Sequence, residues 1–121
     1  MDYNTLFQTR TKELALAIIR QLSKVKYSDE VSVIRKQIFR SATSVAANYR
    51  AVARARSENE RYAKICIVVE EIDETTFWLE IIKELDIIAQ DDLSELIVEA
   101  EELLKVMASY RKKMNDKKSD R

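Results

Sequence analysis

The sequence predicts an all-α protein, an up-down-up-down antiparallel four-helix bundle that assembles into a homo-oligomer. Three observations carry this reading. The 121 residues contain no Gly and no Pro, so nothing in the chain readily breaks or kinks a helix. Apolar residues recur at intervals of three and four throughout, with no strand-like alternation. One of the four helices is apolar on two sides, which a lone bundle does not need.

Thr5 followed by Gln8 reads as a capping box that opens helix 1, which runs to about Ser23. Leu6, Leu14, Ile18, Leu22 and Val25 form its apolar stripe. After a short connection, Asp29 is the expected N-cap of helix 2, which runs to about Ala55. Val31, Ile34, Ile38, Ala42, Val45, Tyr49 and Val52 face one way. Lys36, Arg40, Thr43, Ala47, Arg50 and Arg54 face the other. Ser57 with Glu60 is a second capping box and opens helix 3, expected to reach about Asp86. Asp92 with Glu95 repeats the pattern for helix 4, expected to end near Lys113. Its stripe is Leu93, Ile97, Ala100, Leu104, Met107 and Tyr110. Short connections make successive helices antiparallel neighbours. The expected domain is residues 1–113, followed by a polar, basic and frayed tail over 114–121.

Helix 3 departs from the one-sided pattern. Ile65, Val68, Val69, Ile72, Leu79 and Ile82 form one face at 100° per residue. Ile67, Phe77, Trp78, Ile81 and Leu85 form a second, nearly opposite one, the candidate oligomer interface.

Composition removes several chemistries. The absence of Gly removes phosphate-cradling loops and the usual left-handed helix ends. The absence of His removes the imidazole base, zinc fingers and Ser-His-Asp or Cys-His machinery. The lone Cys66 can form no internal disulfide, which favours a reducing compartment, and it reads as a buried inert thiol. The longest apolar run, Leu14 to Ile19, is six residues against the roughly 20 that span a bilayer. No secretory leader is evident in Met1 to Arg10, so the expected location is the cytoplasm, with no membrane partner. No catalytic residue, metal site or cofactor is expected.

The 21 bases and 21 acids cancel, which argues against a globally basic nucleic-acid binder. They are nonetheless segregated. Residues 35–64 carry eight bases and two acids, residues 70–102 thirteen acids and one base, and residues 105–121 seven bases and two acids. Lys36, Arg40, Arg50 and Arg54, with Arg56 beyond, form a stripe able to track a phosphate backbone, and Arg111 to Lys118 extend the positive charge. The competing reading is a solvated, ion-paired face. Arg40, Ser44 and Asn48 share one strip of helix 2, opposite the acids Glu71, Asp73 and Glu74. They read as a polar clasp fixing helix register, with an anion pocket as the alternative. Glu71-x-x-Glu74 and Glu99-x-x-Glu102 admit a weaker reading, a Mg²⁺-dependent nucleotide pyrophosphohydrolase.

Arg40, Ser44, Val45, Asn48 and Tyr49 match the pattern of a bacterial family. Arg50, Ala51, Arg54, Ala55, Arg56 and Ser57 continue one branch of it, as do Glu71, Asp73, Glu74, Trp78 and Leu79. The chain resembles, over about residues 5–113, the four-helix proteins related to the protein encoded in intervening sequences of 23S ribosomal RNA genes, the S23 family. Where the commoner branch has Ile-Ala-Glu-Gly, this chain has Tyr49, Arg50, Ala51 and Val52. The resemblance implies a ring-like homopentamer and kinship with the accessory proteins of diversity-generating retroelements, which bind a reverse transcriptase and nucleic acid. The expected function is a non-enzymatic oligomeric scaffold associated with RNA, DNA or such an enzyme. The alternative is a structural protein-interaction oligomer without nucleic acid.

Overall fold

The computed structural model describes residues 2–119, with side chains to Lys117. The described residues form four helices and no strands: α1 (Tyr3–Ser23), α2 (Asp29–Ala53), α3 (Glu58–Glu84) and α4 (Gln90–Ser119). Each helix packs on the next and α1 closes on α4, with α2 and α3 the most extensive pair. No helix among the described residues is long and apolar enough to cross a membrane.

The helix starts show local chemistry choosing between adjacent candidates. Asp2, not Thr5, caps α1: its carboxylate accepts from the Thr5 amide at 2.7 Å. Aspartate is the stronger cap, and these amide hydrogen bonds hold its carboxyl below the ordinary value. Ser28, not Asp29, caps α2 by accepting from the Val31 amide at 3.1 Å. Asp29 and Glu30 then fall in the first turn, where negative charge suits the helix dipole. Ser57 caps α3, accepting from the Glu60 amide, as the sequence pattern predicts. Helix α4 starts three residues early, with the Leu93 amide on the Ala89 carbonyl at 3.0 Å. Asp91 and Asp92 serve its first turn rather than its cap.

The ends differ too. Helix α2 stops at Ala53 and α3 at Glu84, each about two residues short of expectation. The expected frayed tail continues α4 as far as Ser119. Residues 114–119 contain no breaker, and lysines suit a helix C-terminus; residues 120–121 lie outside the described residues.

A left-handed helix end forms without glycine. Asp86 has φ 55°. The Asp86 amide bonds the Lys83 carbonyl at 3.2 Å and the Ile87 amide the Ile82 carbonyl at 3.1 Å, the two bonds of a Schellman cap. Aspartate bears this backbone better than most residues, but its Cβ still costs energy there. Asp86→Gly is expected to raise stability by about 0.5–1 kcal/mol, a shift of a few degrees in a thermal melt. An unchanged or lower melting temperature would show the strain to be negligible.

The core is continuous along the bundle. Ile18, Leu22, Ile38, Val45, Tyr49, Ile65, Ile72, Leu79, Leu93, Leu103 and Met107 are essentially inaccessible. In α2 and α3 the buried residues are those of the expected stripes, with Ser41 and Thr75 added. In α4 the inward row is Leu93, Leu96, Ala100, Leu103 and Met107, while Ile97 and Leu104 flank it. Both rows lie in one apolar arc, and contact with α1 and α3 together selects its centre. Ser41 and Thr75 meet inside the core: Thr75 Oγ1 donates toward Ser41 Oγ at 2.9 Å, with the Glu71 carbonyl at 2.8 Å as its other acceptor. From α2, the Arg35 guanidinium donates to the Leu22 and Val25 carbonyls at 2.8 and 3.0 Å. It thereby satisfies the end of α1 and fixes the connection.

Candidate functional site

The second apolar strip of α3 comprises Ile67, Phe77, Trp78, Ile81 and Leu85. Trp78 and Ile81 are half-buried against the edge of the core. The Phe77 ring meets the Trp78 ring edge-on at 5.0 Å, yet Phe77 remains 49% and Leu85 55% exposed. Val33 of α2, also exposed, belongs with them. It lies seven residues before Arg40, as Ile81 lies seven after Glu74, and Arg40 touches Glu74. The helical repeat therefore sets Val33 level with Ile81. That heptad offset was the signal available in the sequence.

The polar clasp divides into two parts. Arg40 bridges α2 to α3 through Glu71 at 3.0 Å and through Glu74. Glu74 also accepts from the Trp78 indole at 3.2 Å. These acceptors hold the Arg40 guanidinium above its ordinary pKa, the Glu74 hydrogen bond first among them. Ser44 and Asn48 do not reach the acids: the Asn48 amide donates within α2 to the Ser44 carbonyl and hydroxyl at 2.9 and 3.0 Å. Asp73 is exposed and stands apart. The Arg40 side chain is 50% exposed, so the bridge contributes at most about 1 kcal/mol, less than a buried pair.

A second bridge has no counterpart in the sequence reading. Arg10 of α1 grips Glu99 of α4 with two parallel hydrogen bonds, 3.0 and 2.6 Å, and reaches Glu102 at 3.0 Å. Its guanidinium also lies 5.3 Å from the Phe7 ring centroid. Glu99, chiefly, raises the Arg10 pKa. Each Glu-x-x-Glu pair thus holds an arginine. Among the described residues no group of three or more acidic or cysteine side chains could hold a metal ion. Cys66 is half-buried rather than fully buried.

The basic stripe does not act as one row. Arg40 turns to the α3 acids, and Arg56 stands exposed 3.8 Å from Glu60. Lys36 is exposed on the first half of α2. Arg50 and Arg54 instead line a cleft of about 610 Å³ between α1 and α2, together with Lys12, Thr9 and Thr43. Lys12 is a member that only the packing of α1 reveals.

The charge segregation becomes polarity in space. Asn4 and Phe7 of α1 meet Tyr49 of α2, and Tyr62 of α3 reaches Asn115 of α4 at 3.4 Å. Residues 2–12, 47–67 and 105–119 therefore gather at one end, with thirteen bases and four acids, net +9. The other described residues hold seven bases and sixteen acids, net −9. At the positive end a second cleft, about 750 Å³, is lined by Tyr3, Phe7, Tyr49, Tyr110, Met107 and Met114, with lysines at its rim.

Fold and surface together define a four-helix protein with a half-exposed apolar strip on α3 and one basic end. A family model for the 23S rRNA-intervening sequence protein matches residues 5–109, and the chain belongs to that family. It is similar, at 27% identity and a TM-score of 0.78, to the crystal structure of a protein of unknown function from the S23 ribosomal protein family of Bacteroides thetaiotaomicron. The match covers 90% of this chain and 97% of that one. Comparison with curated proteins found no match.

Proposed function

We propose that the chain is one subunit of a homo-oligomeric, non-enzymatic scaffold, with a pentamer the favoured form, that works in the cytoplasm and associates with nucleic acid or a nucleic-acid enzyme. The observation that carries the reading is the apolar strip on α3, where Phe77 and Leu85 stand half in water beside the only tryptophan. Covering the exposed half of such side chains is worth about 1 kcal/mol each, which favours a second copy covering them. Contacts of residue 4 with 49, 41 with 75 and 62 with 115 fit the alternating, up-down-up-down helix course. That course puts the basic segments at one end of the subunit, and the rotational symmetry of a ring would set those ends on one face, where they add. The engagement of both Glu-x-x-Glu pairs by arginines supports a binding role over a metal-dependent hydrolase. Light scattering coupled to size exclusion tests assembly: a particle several times 14.1 kDa is expected, and a single subunit at high concentration would refute it.

The nucleic-acid association draws on Lys12, Arg50 and Arg54, exposed and without an ion pair among the described residues. Filter binding of a single-stranded oligonucleotide should be clear at low salt, weaken steeply as salt rises, and fall in an Arg50→Glu, Arg54→Glu variant. Absence of binding at low salt would leave the protein-interaction oligomer as the reading.

A further inference from the structure

We propose that the aromatic cleft at the positive end is a nucleotide site, taking a planar base against its aromatic wall and the attached phosphate on its lysine rim. This deepens the nucleic-acid reading above by naming a site and a ligand, and it does not depend on self-association. The cleft joins the start of α1, the second half of α4, Tyr49 of α2 and Glu58 of α3. Its volume, about 750 Å³, is in the range of small-molecule sites.

The lining divides by chemistry. Tyr3 stacks on Phe7 with ring centroids 6.1 Å apart and planes within 10°. Tyr3 is 77% exposed, so its outer face is open to a second flat ring. Tyr110 and Met114 continue the apolar wall, the buried Met107 and Tyr49 back it, and the Tyr49 hydroxyl is directed to Asn4 Oδ1 at 3.4 Å. The rim carries Lys105, Lys113 and Lys117. Lys113 and Lys117 are one helical turn apart and so face the same way. None of the three has an ion pair among the described residues. The one acid of the lining, Glu58, is paired with Arg61 of its own helix. An aromatic wall beside unpaired lysines matches a base that carries a phosphate. A purely apolar ligand would leave the lysines unused, and inorganic phosphate would leave the wall wet.

A free mononucleotide and a single strand both carry such a base, and the experiment separates the two. The whole chain, labelled with ¹³C at its methionine methyls, is titrated at low salt with AMP, adenosine, inorganic phosphate and a short single-stranded oligonucleotide. AMP is expected to shift the Met107 and Met114 methyl resonances through the ring current of the bound base. Adenosine should bind about tenfold more weakly, and phosphate should leave the methyls in place. Tyr3→Ala, and separately Lys113→Glu with Lys117→Glu, should each weaken AMP binding about tenfold or more with circular dichroism unchanged. All three changes lie on exposed side chains, so loss of folding does not confuse the result. Unmoved methyls with AMP and oligonucleotide alike, or equal binding of phosphate and AMP, would overturn the site. An oligonucleotide that binds the Lys113→Glu, Lys117→Glu variant as well as the unaltered chain, but not the Arg50→Glu, Arg54→Glu variant, would overturn the cleft and leave the nucleic-acid reading standing. AMP binding without oligonucleotide binding would establish the cleft and remove that reading.

Discussion

Replacing both Phe77 and Leu85 by glutamate is expected to reduce the assembly to a single 14.1 kDa subunit while the helix content stays unchanged. The two side chains are half exposed within the subunit and outside its buried core, so the fold does not need them. In the proposed assembly, covering the exposed half of each contributes about 1 kcal/mol, and a carboxylate in its place adds the cost of an unpaired charge. The pair of changes should weaken each contact by about 4–6 kcal/mol, a thousandfold or more, and every interface of a ring carries it. Light scattering reads the mass directly. Val98→Glu, an equally exposed change on α4, is the control and should leave the mass unaltered. A double variant that keeps the size of the unaltered protein would move the interface elsewhere.

Tyr49→Ala is expected to cost about 3–5 kcal/mol, a large part of the 5–15 kcal/mol that holds a typical domain together. Tyr49 is 1% exposed and packs edge-on against Phe7 at 6.2 Å. Removing it opens a void where α1, α2 and α4 converge. Tyr49→Phe keeps the ring and loses only a long hydrogen bond to Asn4, so a change near 1 kcal/mol or less is expected. The same residue predicts an alkaline limit. Burial, chiefly, pushes the Tyr49 phenol up from 10.0 to about 12. A folded-state pKa above the unfolded one means that this stabilisation is whole below pH 10 and is lost as pH rises through 12. Denaturant melts should show a loss on the order of 2 kcal/mol across that interval, and Tyr49→Phe should flatten it. An equally steep loss in the Phe variant would assign the alkaline weakness to other groups.

The fold was legible because its signals are local and repeated. Val31, Ile34, Ile38, Ala42, Val45, Tyr49 and Val52 announce one buried face by spacing alone, and the structure buries those residues. Helix starts were legible only to within one to three residues, since Asp2 and Thr5, or Ser28 and Asp29, offer similar oxygens and only backbone geometry decides between them. The turn at Asp86 was hidden because the expected marker, glycine, is absent and aspartate took the position. Site geometry was less legible than fold. Helical spacing placed Ser44 and Asn48 beside Arg40, but a wheel cannot tell an amide that turns back on its own helix from one that crosses to the next. Arg10 with Glu99 and Glu102 pairs residues about ninety positions apart, and no local pattern reports such a contact. The aromatic cleft is hidden for the same reason: it draws on all four helices.

A chain with zero net charge would ordinarily be indifferent to an ion-exchange column. This one keeps its opposite charges at opposite poles, with an excess of nine at each among the described residues. It is thus a zwitterion on the scale of a whole protein, and resins of either sign find a pole to hold. In dilute buffer the poles of neighbouring particles attract end to end, and modest salt screens that attraction over about 10 Å. Solubility therefore rises with the first additions of salt, and the isoelectric point near pH 6.4 describes a balance between two ends rather than a neutral surface.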